Sequence, residues 1–255
     1  MNKPLVFRSM ASFDAFRKDI SGSVGLVTTM GALHAGHAAL LKRSVEENQL
    51  TILTIFVNPT QFNDPTDLEK YPRSFDADYE IAASCGVDAI FQPDAKEIYA
   101  DHYRYRVVEQ DFSGMLCGMH RPGHFEGVLT VLIKLFNIVK PHKAYYGEKD
   151  FQQLRLIDHM VKAFFIPIEI CAVSTVREPT GLAMSSRNVR LSVEGRNKAA
   201  LIYQFMQQFG SAKEVAEQLT QQGFLVDYVE DIDGRRFVAA VLEGVRLIDN
   251  IECCV

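Results

Sequence analysis

Seven consecutive apolar or β-branched residues, TILTIFV at positions 51–57, leave this chain few choices of fold. A strand with one face in water alternates polar and apolar residues. This run does not alternate, so it reads as a strand buried on both faces, which is the habit of a parallel sheet covered by helices. Its neighbours agree. Gly25–Thr29 reads as a strand, followed by a Gly-containing loop and a helix from about Gly36 to Glu47. The loop NPTQFNDPTDLEKYPR comes next, and its three prolines argue against regular structure over most of it. Asp76–Cys85 looks helical and stops at Gly86, before a strand at Val87–Phe91. Apolar residues at 128, 129, 132, 135, 136 and 139 make a helical stripe within Gly123–Val139, closed by Pro141. A strand at Lys143–Tyr146, a helix at Asp150–Phe164 and a strand at Ile166–Val173 complete the series. This β-α order predicts an α/β fold, a doubly wound, Rossmann-like parallel sheet with helices on both faces.

The pattern changes near Ser174. Helices are expected over Ser192–Phe209 and Ser211–Gln222, then short strands at 225–232 and 236–248. The expected organisation is a sheet domain over 1–174 and a smaller α+β domain over 175–255 that serves as a lid. A chain of 255 residues with 47% apolar content can bury a core of that size. Its net charge of -5 gives no general attraction for nucleic acid or an anionic membrane. No apolar run reaches the roughly 18 residues of a membrane span, and the N-terminus lacks the apolar core of a signal peptide. Five cysteines (Cys85, Cys117, Cys171, Cys253, Cys254) without CxxC spacing read as reduced thiols of a cytoplasmic protein.

Five segments have the composition of a site. In MGALHAGH (30–37), His34 and His37 lie between a buried strand and a helix N-terminus, where free N–H groups and the helix dipole favour phosphate. The pair also suits a metal, or two loop histidines without a role. YGEKDFQQ (146–153) places Lys149 and Asp150 at the carboxyl edge of the sheet; Asp150 is equally a good N-cap. Of Gln152 and Gln153, one should meet a ligand and the other solvent. MSSRN (184–188) offers two hydroxyls and a guanidinium as a phosphate clamp, although such triplets also occur in plain surface loops. FVNPTQF (56–62) supplies uncharged hydrogen-bonding groups in Asn58 and Gln61. In HRPGHFEG (120–127), Arg121 and His124 suit either a carboxylate or a helix start.

Together with YPR at 71–73, these motifs resemble, in order over about residues 5–195, the pantothenate synthetase (pantoate–β-alanine ligase) family of the HxGH nucleotidylyltransferases. RLIDN (246–250) extends the likeness near the end of the chain. The resemblance implies ATP-dependent condensation of pantoate with β-alanine through an enzyme-bound pantoyl adenylate, releasing AMP and diphosphate. It implies an ATP site of Met30, Gly31, Ala32, Leu33, His34, Ala35, Gly36, His37, Gly147, Glu148, Lys149, Asp150, Val176, Met184, Ser185, Ser186 and Arg187. His37 would be the catalytic residue, Gln61 and Gln153 would hold pantoate, and Gln61 would also contact β-alanine. Mg²⁺ would accompany the phosphates, with no protein ligand assigned, and the enzyme would be a cytoplasmic homodimer with neither nucleic acid nor membrane as partner.

Two departures stand out. Thr28 occupies a place where the family usually has proline, which predicts a less rigid loop, and the chain looks short after residue 195. A nucleotidyltransferase leaving AMP on a phosphorylated acceptor is disfavoured, because amides rather than a basic pocket flank the nucleotide motifs. Length and acidity disfavour an aminoacyl-tRNA synthetase relative. A non-catalytic nucleotide sensor would not need His34, His37 and Lys149 together.

Overall fold

The computed structural model describes residues 3–253; Cys254, counted among the cysteines above, lies outside them. Six parallel strands, β1 (Leu5–Phe7), β2 (Val24–Thr29), β3 (Leu50–Ile55), β4 (Ala89–Phe91), β5 (Lys143–Gly147) and β6 (Glu169–Val173), form one sheet in the order β1-β4-β3-β2-β5-β6. Helices α1 (Met10–Lys18), α2 (Ala35–Glu47), α3 (Phe75–Cys85), α4 (His124–Val139) and α5 (Phe151–Ala163) accompany it. Both faces of β3 are buried, as its unbroken apolar run predicts: Ile52 joins one hydrophobic cluster, while Leu53 and Ile55 join another. Helix α4 is buried over most of its circumference and ends at Lys140, which adopts a left-handed φ of 47°. The sequence reading missed β1 and α1.

From β2 the chain winds outward through β3 and β4 on one side, and later through β5 and β6 on the other. The switch therefore lies between β2 and β5, where ligands of such folds bind. Pairing there is short, covering only Gly25↔Lys143 and Leu26↔Ala144. By contrast, β2 stays with β3 through Thr29↔Ile55, and β5 with β6 through Gly147↔Val173. The two central strands thus part at their carboxyl ends and leave a crevice.

The proline-rich loop is more regular than expected. Pro59–Gln61 forms a 3₁₀ turn and Pro65–Glu69 a short helix, each with proline in its first turn. Proline is tolerated there because its missing N–H has no helical partner in any case. Asn58 and Asp64 supply the caps, accepting from Thr60 N–H and Thr66 N–H.

After Val173 the chain leaves the parallel sheet. Helices α6 (Val193–Ala199), α7 (Leu201–Gln208) and α8 (Ala212–Gln221) precede an antiparallel sheet of β7 (Leu225–Ile232), β8 (Arg235–Leu242) and β9 (Val245–Glu252). The segment 236–248, expected to be one strand, is the greater part of a hairpin. Its turn, Glu243–Gly244, takes φ values of 51° and 72°, and Glu gives no turn signal as strong as Asp233 does before Gly234. Strand β8 is buried on both faces. Phe237 and Ala239 join the core of the large sheet, whereas Val238, Ala240 and Leu242 join a separate cluster with α7 and α8. Among the described residues no helix is long and apolar enough to cross a membrane.

Candidate active site

The crevice between β2 and β5 opens into a cavity of about 260 Å³. The chain leaving β2 turns sharply through Gly31 (φ 84°) and Ala32 (φ 51°) before entering α2. Asp78, buried on α3, holds this turn by accepting from Ala32 N–H at 3.0 Å and Leu33 N–H at 2.7 Å. A side chain at position 31 would have its Cβ 3.0 Å from Asp78 Oδ2 as well as an unfavourable φ, so glycine is required there.

His34 is the N-cap of α2. Its Nδ1 accepts from Gly36 N–H at 3.1 Å, and His37 Nδ1 accepts from His34 N–H at 3.3 Å, a capping box built from two imidazoles. With both Nδ1 atoms accepting, the neutral rings carry their protons on Nε2 and present them away from the helix end. Burial lowers both pKa values, to about 4 for His34 and about 3 for His37, helped by the cationic Lys149 and, for His37, by His34. The pair is neutral at physiological pH and acts as two N–H donors.

Across the crevice, β5 ends in the turn Glu148–Asp150. Lys149 lines the cavity with its Nζ 3.6 Å from Asp150 Oδ1. Asp150 makes no side-chain cap to α5, so its sequence reading as an N-cap fails in that respect. Gln153, one turn on, faces the cavity. Gln152 turns not to solvent, as expected, but inward: it accepts from Cys117 N–H and donates to the carbonyls of Phe112 and Met115.

Gln61 is fixed at both ends. Its carbonyl accepts from His124 Nδ1–H at 2.9 Å and Arg121 Nη2 at 3.3 Å, while Arg121 Nη1 donates to His124 Nε2 at 3.0 Å. Because arginine only donates, His124 carries its proton on Nδ1. Burial, followed by Arg121, lowers its pKa to about 3. The Gln61 side chain accepts through Oε1 from Asn58 Nδ2 at 2.9 Å. Asn58 cannot be turned round, since Nδ2 also donates to the Gly127 carbonyl and Oδ1 accepts from Tyr99 at 2.6 Å and Thr60 at 3.0 Å. The Gln61 Nε2 donors therefore point into the cavity, toward Met30 Sδ at 3.4 Å. Gly127 permits this packing; a Cβ there would lie 2.6 Å from the Thr60 carbonyl oxygen.

The remaining wall is apolar, formed by Phe56, Tyr146 and the α4 residues Val128, Val131, Leu132 and Leu135. Thr28 lies inside β2 rather than in a loop, so pairing with β3 limits its freedom whatever its φ preference. Its hydroxyl is 3.4 Å from the Tyr146 hydroxyl. On the C-terminal side, Val176 and Met184–Arg187 close the cavity. A second cavity of about 360 Å³ adjoins it, sharing Arg121, Lys149, Asp150, Ser185 and Arg187.

Seventeen of the residues anticipated from sequence meet at this cavity: Met30, His34, Gly36, His37, Asn58, Gln61, Arg121, His124, Gly147, Lys149, Asp150, Gln153, Val176, Met184, Ser185, Ser186 and Arg187. Gly31, Ala32, Leu33, Ala35 and Glu148 are not on its lining and form the backbone behind it. Asp78 and Tyr99 were missed. A carboxylate in the first turn of a helix and a tyrosine closing a one-turn helix have no signature in sequence.

The family model for pantoate-beta-alanine ligases matches residues 5–252. The chain is 56% identical to a pantothenate synthetase of Bdellovibrio bacteriovorus over 247 residues, 97% of this chain and 98% of that protein. It is 49% identical to one from Legionella pneumophila, over 96% of this chain and 98% of that protein. The C-terminal part is accordingly not short beside these relatives. A Francisella tularensis pantoate-beta-alanine ligase, solved with beta-gamma ATP and beta-alanine, superposes with a TM-score of 0.93 at 39% identity, covering 98% of this chain and 97% of that one. A pantothenate synthetase from Thermus thermophilus gives 0.89 at 38% identity, covering 97% and 99%. Sequence, fold and site geometry agree: the chain belongs to the pantoate–β-alanine ligase family.

Proposed function

We propose that this enzyme joins pantoate to β-alanine at the expense of ATP, through a pantoyl adenylate formed and consumed in the cavity between β2 and β5. One observation carries the reading. Two neutral N–H donors (His34, His37) and a cation (Lys149) face two amides (Gln61, Gln153) and the apolar wall of α4 across a single cavity. The first group suits a polyphosphate, and the second a branched hydroxy acid whose methyl groups need an apolar wall.

In the first half-reaction the pantoate carboxylate attacks the α-phosphorus of ATP, and diphosphate leaves. Anion meets anion, so the site must supply positive charge and oriented donors. The N-terminus of α2, His34, His37, Lys149 and Arg187 do so. In the ligand-free site burial, then His34 and Lys149, lower the His37 pKa to about 3, so the ring meets phosphoryl oxygen as a neutral Nε2–H donor. Gln61 and Gln153 hold pantoate through its hydroxyl and carboxylate oxygens. In the second half-reaction the neutral amine of β-alanine attacks the acyl carbonyl near Gln61, and AMP departs. Placement contributes most to that step.

Among the described residues, no three His, Cys, Asp or Glu side chains gather to hold a metal ion. A Mg²⁺ accompanying ATP would be held mainly by phosphates and water, as is usual for this ion. Asp150 is the carboxylate nearest Lys149 and the phosphate side of the cavity. It would supply the one protein oxygen, lowering the charge repulsion between nucleotide and pantoate.

We place a domain division near Ser174, with the later part shielding the adenylate from water. Since β8 is packed on both faces, the piece proposed to close over the adenylate is the loop around Met184–Arg190 rather than the whole domain. A cytoplasmic homodimer is proposed on family resemblance alone, and a solution mass near twice 28.7 kDa tests the dimer. Activity is tested by product analysis with ATP, pantoate and β-alanine. Equal amounts of pantothenate, AMP and diphosphate support the reading, and ADP with phosphate overturns it.

A further inference from the structure

Strand β9 puts no residue on the lining of the cavity between β2 and β5, yet two adjacent residues on it hold both phosphate-facing segments. Asn250 is 4% exposed. Its Nδ2 donates to the Glu148 carbonyl at 2.8 Å and the Lys149 carbonyl at 2.9 Å, and its Oδ1 accepts from Arg235 Nη1 at 2.6 Å. Carbonyls only accept and guanidinium only donates, so the amide has one possible orientation. The Arg235 guanidinium also lies 3.8 Å above the Phe151 ring, which follows the same turn.

The two captured carbonyls belong to the peptide planes on either side of the Lys149 Cα. Fixing both planes fixes φ and ψ of Lys149, and hence the direction in which its side chain leaves the backbone. The neighbouring Asp249 is 5% exposed and points to the other side of the strand, as alternation requires. It receives Arg177 at 2.6 and 3.0 Å. Arg177 stacks 3.6 Å from the Tyr203 ring and bridges to Ala183, at the entry to Met184–Arg187.

We infer that Asn250 is a positioning residue for Lys149, and that with Asp249 it sets the distance between the Lys149 turn and the Ser185–Arg187 loop. The inference rests on the proposed role of Lys149 at the phosphates. Displacement of a charged group by about 1 Å is enough to slow a reaction on the order of 100-fold. Asn250→Asp keeps the size and the Arg235 partner but removes both donors, and faces two carbonyls with a carboxylate.

The test measures diphosphate release from ATP and pantoate in Asn250→Asp, Asn250→Ala, Lys149→Ala and the double variant Lys149→Ala/Asn250→Asp. Pantoate binding by calorimetry and the thermal transition serve as controls for folding. Asn250→Asp is expected to lower the rate about 10- to 100-fold, with pantoate binding near normal. In the Lys149→Ala background, Asn250→Asp is expected to add nearly nothing, because the group it positions is gone. A wild-type rate in both Asn250 variants, or losses that multiply in the double variant, overturns the inference while the reading of Lys149 stands. If either Asn250 variant fails to fold, the other carries the comparison; if both fail, Asn250 is a folding residue and the inference is overturned. A normal rate in Lys149→Ala overturns the reading of Lys149 itself and this inference with it.

Discussion

Arg187 donates through Nη2 to Asp67 Oδ2 at 3.1 Å, so the guanidinium assigned to the phosphates is held by a carboxylate from the short helix Pro65–Glu69 across the cleft. Arg190 occupies the other oxygen of Asp67 at 3.2 Å. These side chains are 30% to 44% exposed. An exposed pair contributes about 0–1 kcal/mol, so its displacement by the phosphates of the proposed ATP complex should cost little. Asp67→Asn should therefore lower KM for ATP by no more than about fivefold, with kcat little changed. Arg187→Ala should slow adenylation about 100-fold or more while sparing pantoate affinity. Normal adenylation in Arg187→Ala would remove this residue from the phosphate site.

His37→Ala should reduce adenylation by about 100-fold or more, the usual cost of losing one transition-state donor. The capping acceptor for His34 N–H is lost as well, so a drop in stability of about 1 kcal/mol should accompany it. Single-turnover rates beside a denaturant titration separate the two effects. A near-normal rate would mean that the Nε2–H donor is dispensable.

The pH dependence follows from the same rings. Free histidine titrates near 6.5, whereas His34, His37 and His124 sit at about 4, 3 and 3. Between these values the unfolded chain binds more protons than the folded one. Their contribution to stability is thus fully present above about pH 6.5 and is lost as pH falls toward 3 to 4. Adenylation should show no acid limb near pH 6.5. A limb there that disappears in His37→Ala would show that an imidazolium does the work instead.

Asn58→Asp tests the orientation of Gln61. A carboxylate cannot donate to Gln61 Oε1 or the Gly127 carbonyl, so the Gln61 amide should turn and present oxygen to pantoate. We expect KM for pantoate to rise about tenfold or more, with KM for ATP nearly unchanged. Gln153→Ala should show the same bias, by about 0.5–3 kcal/mol. Equal losses for both substrates in either variant would show that these residues support the site without reading the acid.

The parts of the site that were legible in sequence are those whose cause is local. His34, His37 and Lys149 each stand where a strand gives way to a helix, so spacing alone places them at the carboxyl edge of the sheet. The unbroken run at 51–57 revealed a doubly buried strand for the same reason. Long-range causes left no such trace. Asp78 acts on a turn 45 residues earlier, and Asn250 on carbonyls 101 and 102 residues earlier. Gln152 and Gln153 look alike in sequence, and only the packing of α5 against Phe112 and Met115 decides which one turns inward. The Glu243–Gly244 turn was hidden because its first residue is an uncommon choice for a left-handed position.

The adenylate is the step on which the roles of His37, Lys149 and both glutamines depend. Mixing enzyme with ATP and pantoate alone, under single-turnover conditions, and following diphosphate isolates it. The proposed order of steps gives about one diphosphate per active site before β-alanine is added, and pantothenate and AMP afterwards without further diphosphate from that turnover. Diphosphate that appears only when pantoate and β-alanine are both present would contradict it.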